Sequence, residues 1–169
     1  MFRLAAATIG IFVLLGCTSK EETALMKSYT EKINYHKTLQ KTEKVQLYED
    51  NVTKVMLTAT YLYTPTADKN DTRDEVFIVG IHFEDEAADE SGYSLLLNTT
   101  KPKEVQALKK NDERFKDLSF ISEWGDYYLV TFPHSESKKL TLVFESEQYG
   151  KGTLHFAKVA KYIFTKTSF

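Results

Sequence analysis

Beyond residue 43 the chain is written in short apolar runs of period two, broken by turn residues at roughly ten-residue intervals, and this constrains the fold more than any other feature. Lys44-Val45-Gln46-Leu47-Tyr48 alternates, and Glu49-Asp50-Asn51 supplies a turn. Val55, Leu57, Ala59, Tyr61 and Tyr63 then share one face, with Lys54, Thr58 and Thr60 opposite, which predicts an antiparallel hairpin with one half-buried face. Pro65 ends it, and residues 66–74 read as a solvated loop. Residues 76–83 are apolar on both faces and so belong centrally, between two packed layers. Residues 93–97 read as another strand, and 103–110 as a strand or a short helix. Residues 117–122 and 127–132 flank a four-residue turn, Glu123-Trp124-Gly125-Asp126, and Pro133 closes that pair. Leu140, Leu142 and Phe144 alternate with Thr141, Val143 and Glu145; Tyr149-Gly150-Lys151-Gly152 turns the chain into a last strand over 154–164. Seven or eight strands with no helix among them predict a mainly β fold: an antiparallel β-sandwich, immunoglobulin-like, without the Cys…Trp…Cys hallmark of antibody-type domains. The alternative architecture is a lipocalin-like barrel.

The sandwich is preceded by an N-terminal helix. Leu25, Tyr29, Ile33 and His36 recur at steps of four, four and three, one stripe of a helix over residues 20–39. Ser19 with Glu22 has the form of a capping box, which places the helix start near residue 20. Such a helix reads as a spacer packed on the domain.

Ahead of it, Met1-Phe2-Arg3 leads into an uncharged apolar stretch, residues 4–15, too short for the ~20 residues a bilayer-spanning helix needs. One cation followed by such a stretch has the proportions of a secretory signal. Leu14-Leu15-Gly16-Cys17 follows directly and resembles the lipobox of bacterial lipoproteins. The resemblance covers residues 1–17 only. It implies cleavage before Cys17, lipidation of that cysteine and anchoring in a membrane. Thr18, where many inner-membrane lipoproteins carry Asp, implies the outer membrane, with the domain facing the periplasm or the cell surface. The expected organisation is a signal peptide over 1–16, a tether and helix over 17–42, and a β-sandwich domain over 43–169.

Composition excludes more than it assigns. A formal charge of -2 lacks the clustered cations with which a protein neutralises nucleic-acid phosphates, so no nucleic-acid partner is expected. The single cysteine excludes a disulfide framework and any multi-cysteine metal site. The four histidines, His36, His82, His134 and His155, show no zinc-binding spacing, and no nucleophile elbow or phosphate-binding glycine loop is present. His82 and Glu84 share a strand face, a pair open to a metal but more simply a strand end beside a loop. The loop from Asp68 begins like an EF-hand, yet Arg73 stands where the turn needs Gly and Val79 where the bidentate Glu belongs. Residues 84–90 hold five carboxylates, a density able to ligate calcium, although charges between strands also discourage edge pairing. No catalytic residue, metal or cofactor is assigned, and the chain is not expected to be an enzyme.

Aromatic residues make up 13% of the chain, and their placement supplies the one binding signal. Trp124 at a hairpin tip has little core to enter; its ring either folds back onto the end of the sandwich or, since Trp and Tyr are favoured at recognition surfaces, docks a partner or stacks on carbohydrate. Trp124 and Tyr127 are therefore the candidate partner-binding residues, with Tyr61, Tyr63 and Tyr128 as further members of an aromatic face. The expected function is a lipid-anchored envelope lipoprotein serving as a non-enzymatic binding or structural module for an envelope protein or polymer. A carrier of small hydrophobic ligands is the alternative.

Overall fold

A computed structural model describes residues 20–66, 70–85 and 92–158. Signal segment, lipobox, Cys17 and Ser19 lie outside the described residues, as do residues 86–90 of the acidic loop and everything past 158.

The two-residue alternation becomes eight antiparallel strands: β1 (Thr42–Glu49), β2 (Val52–Tyr61), β3 (Glu75–Phe83), β4 (Tyr93–Leu97), β5 (Glu104–Ala107), β6 (Asp126–Phe132), β7 (Lys139–Ser146) and β8 (Gly150–Ala157). They form a five-stranded sheet in the order β1-β2-β3-β6-β5 and a three-stranded sheet in the order β4-β7-β8. This is a two-sheet sandwich, not a closed barrel. It shares the layered architecture of immunoglobulin-like domains with a different strand order, since the second neighbour of β2 is β3 rather than the fifth strand.

The first hairpin is fixed by its turn. Glu49 pairs with Val52 across Asp50 and Asn51, whose φ angles are 49° and 65°. Two successive left-handed residues make the turn whose twist matches the flanking strands, and Asp and Asn tolerate that region. β3 lies in the middle of the larger sheet, as its unbroken apolar run predicts. Its inward row, Phe77, Val79, Ile81 and Phe83, meets Leu140, Leu142, Phe144, Leu154 and Phe156 from the smaller sheet. Phe77 is the centre of an aromatic group: Tyr61 stacks on it at 4.7 Å, and Phe132 and Phe156 meet it edge-on at 5.9 and 5.2 Å. Tyr61 is thereby buried, and Tyr63 and Tyr128 pack against the same core, so these tyrosines do not form an exposed aromatic face. On one flank the sheets meet edge to edge, with Gly152 of β8 so near β1 that a β-carbon on it would lie 2.9 Å from Val45 Cγ1.

Three expectations change. Residues 117–122 form no strand; a 3-10 turn at Glu113–Asp117 leads into an irregular segment with Phe120 at φ 64°, and β6 pairs with β5 instead. The apolar run read there as a strand lies across the outer face of the larger sheet. Phe115 packs on Tyr127 with ring centroids 5.0 Å apart, and the Lys44 ammonium sits 5.0 Å over the Phe120 ring. The last strand begins at Gly150 and is described to Ala157; its expected continuation to 164 lies outside the described residues. The helix, α1 (Lys20–Leu39), has its expected bounds, but Leu25 is 70% and Tyr29 61% exposed, so this part of the stripe faces solvent rather than the sandwich. The Ile33 and His36 side chains, which complete the stripe, lie outside the described residues. The helix runs into β1 through Lys41, whose N–H donates to Thr38 O at 2.9 Å. Among the described residues, no helix is long and apolar enough to cross a membrane.

Candidate binding cleft

β6 begins at Asp126, opposite Ile81 and two residues short of the end of β3, and just beyond that pair the Glu123–Gly125 turn brings the Trp124 carbonyl to the outward-facing side chain of His82. A cleft of about 600 Å³ opens there, lined by residues 81–84, Lys110 and residues 123–126. It joins two features that lie apart in the sequence: the tryptophan turn and the His82/Glu84 strand end, where the acidic loop starts.

Trp124 stands at the rim, 80% exposed. Its backbone is held on both sides while its ring is left to solvent. Its N–H donates to Ser122 Oγ at 3.1 Å, and its carbonyl oxygen lies 2.9 Å from His82 Nδ1, which makes Nδ1 the donor. Lys110 Nζ donates to the Glu123 carbonyl oxygen at 3.2 Å. Glu84 Oε2 accepts from Lys54 Nζ at 2.6 Å, and this bond raises the lysine above its ordinary pKa. His82 is thus occupied by a carbonyl and Glu84 by an ammonium, and they do not converge on a common point. Among the described residues no group of three or more His, Cys, Asp or Glu side chains is placed to hold a metal ion.

Tyr127 is a support for this site rather than part of its surface. It is 7% exposed, and its ring lies across Gly80 on the neighbouring strand and beside Gly125. Ser122 N–H donates to its hydroxyl at 2.7 Å. Burial raises the phenol above its ordinary range, with the Ser122 N–H opposing. Alternation along β6 places Tyr127 on the outer face, and only the segment before the turn, folded over that face, buries it.

That segment is pinned at its start. Asp112 Oδ1 accepts from Arg114 N–H at 3.0 Å and from its Nε at 2.7 Å, while Oδ2 accepts from Nη2 at 2.7 Å. The Arg114 guanidinium holds the Asp112 carboxyl down to about 2. A carboxyl depressed by folding contributes stability that is complete above its ordinary pKa of ~4 and is lost as pH falls through the folded value. The Arg114 amide resonance is therefore expected to titrate with a midpoint near that of Asp112, about 2. A midpoint near ~4, the unperturbed value, would show that the ion pair does not form.

A second polar cluster lies at the other end of β3. Glu75, 1% exposed, receives the Ser135 N–H on Oε1 at 2.9 Å and the Tyr61 hydroxyl on Oε2. Lys158 pairs with Oε1 and also donates to the Ser135 carbonyl, and His134 Nδ1 stands 3.6 Å away. Burial first, then the carboxylate, pushes the Tyr61 phenol far upward. Both carboxylate oxygens are engaged, with Glu75 buried and His134 and Lys158 partly open at the margin, and the cluster clamps the end of β8 and the segment after β6 to the larger sheet. One signal pointed to it: Glu75 has the parity of Phe77, Val79 and Ile81 and so heads the inward row, where a charge requires a partner.

Comparison with protein-family models, with curated proteins and with solved structures finds no match to this chain.

Proposed function

We propose that the chain is an envelope lipoprotein, held to the outer membrane by acyl chains on Cys17, and that it acts as a non-enzymatic binding module with the Trp124 cleft as its recognition element. The observation that carries this reading is the fixed backbone and free ring of Trp124. An exposed indole forgoes the burial that would otherwise stabilise the fold, and Trp is among the residues most often dominant in binding. A lipid anchor restricts the module to a surface and raises its effective concentration toward a neighbouring partner. A carrier of hydrophobic ligands has less support, since aromatic and aliphatic side chains fill the space between the sheets and the cleft lies outside it.

Two comparisons test the reading. Cys17→Ser is expected to move the protein from the membrane to the soluble fraction; unchanged fractionation would remove the anchor. Crosslinking in intact cells is expected to capture a defined partner with the wild type and to lose it with Trp124→Ala. Identical capture by both proteins would remove the cleft from the function.

A further inference from the structure

We infer that the cleft recognises a cationic side chain, a lysine or arginine presented by an extended segment of a partner protein. This rests on the reading of the Trp124 cleft as the recognition element. The lining carries three carboxylates, Glu84, Glu123 and Asp126, against one lysine, Lys110. Glu84 is matched by Lys54 from the adjacent strand. Lys110 directs its ammonium to a backbone carbonyl rather than to a carboxylate. Glu123 and Asp126 are exposed and carry no ion pair among the described residues, and they bracket Trp124 in sequence.

The result is an exposed indole in a cleft whose lining carries more negative than positive charge. A cation over Trp is attracted by the ring quadrupole, more strongly than over Tyr or Phe, and a carboxylate beside the ring adds a charge-assisted hydrogen bond. The volume, about 600 Å³, accommodates one long side chain and part of its backbone. A neutral sugar would also stack on an indole and donate hydroxyls to a carboxylate, but only a cation is attracted as well by the charge of Glu123 and Asp126.

Trp124 is the sole tryptophan of the chain, so its fluorescence reports the cleft directly. The full-length protein is titrated with a blocked tetralysine peptide, with the same peptide acetylated on every side chain, and with a neutral chito-oligosaccharide. Saturable quenching by tetralysine is expected, weakening several-fold as salt rises from ~0.05 to ~0.5 M because the attraction is screened. The acetylated peptide is expected to bind at least tenfold more weakly. Glu123→Gln combined with Asp126→Asn, both at exposed positions, is expected to lower tetralysine affinity about tenfold, as the loss of two exposed charge pairs implies. The melting temperature should not change. Equal binding of the acetylated peptide, quenching by the sugar alone, or no response to tetralysine would each overturn the cationic ligand. In those cases Trp124-dependent crosslinking in cells would still stand, which separates failure of this inference from failure of the binding-module reading.

Discussion

Glu75→Ala is expected to destabilise the fold by about 3–5 kcal/mol, the usual cost of removing one member of a buried ion pair while the other stays. The Lys158 ammonium would keep a single carbonyl partner in a poorly solvated site, and the Tyr61 hydroxyl and Ser135 N–H would lose their acceptor. Each stranded buried donor adds its own desolvation cost of ~1–3 kcal/mol, so the loss is not confined to the ion pair. Because the carboxylate joins β2, β3, the residues after β6 and the end of β8, its removal frees the two sheets from one another at that end. For a chain of this size the corresponding fall in melting temperature is about 6–20 °C. Replacing the pair by Glu75→Leu with Lys158→Met should recover only the part of the loss owed to the stranded ammonium, because the Tyr61 hydroxyl and the Ser135 N–H still lack their acceptor. Chemical denaturation of the single and double variants gives the coupling energy. A Glu75→Ala protein within ~1 kcal/mol of wild type would mean that the carboxylate is not engaged as described.

What was legible in the sequence was whatever depends on period two and on turn chemistry. The β1-β2 hairpin follows from alternating residues around Asp50-Asn51, and the central place of β3 from its two apolar faces. Trp124 is exposed, but in the irregular turn ahead of β6 and not at the tip of the hairpin that the alternation suggested. Three features escaped for different reasons. The apolar run over 117–122 has the composition of a strand, but it covers the outer face of a sheet, and composition alone does not separate lid from strand. Tyr127 has an outward parity that reads as surface, and the same lid buries it. The Glu75–Lys158 pair joins residues far apart in the chain, so alternation shows only that Glu75 is on the wrong row and not what answers it. Leu25 and Tyr29 show the converse limit: a helical stripe states which side chains share a face, not that the domain covers that face.

Gly80→Ala is expected to reach the cleft without touching it. Gly80 lies directly across from Tyr127, and a β-carbon there would sit 2.4 Å from Tyr127 Cε1 and 2.8 Å from Thr58 Oγ1. A glycine inside a strand commonly marks such a close approach, and here an aromatic ring occupies the space its side chain would need. The ring cannot yield by a terminal rotation, because Phe115 packs on it and its hydroxyl holds the Ser122 N–H. It must move as a body, and the segment leading to Trp124 must follow. Overpacking of this kind costs about 1–3 kcal/mol, within the tolerance of a domain this size, so the variant is expected to fold with a lowered melting temperature. Its tryptophan emission should shift and its partner crosslinking fall, although residue 80 is not among those lining the cleft. Tyr127→Phe provides the control, since it removes the Ser122 contact while keeping the ring over Gly80. That variant should lose ~1 kcal/mol, the worth of one hydrogen bond, with a smaller change in emission. A Gly80→Ala protein with wild-type melting and wild-type emission would show that the Trp124 turn is held by His82 and Ser122 alone, with Tyr127 as filler. A shift in emission together with retained crosslinking would show instead that the partner tolerates a moved indole, and would relocate the recognition energy to the carboxylates beside it.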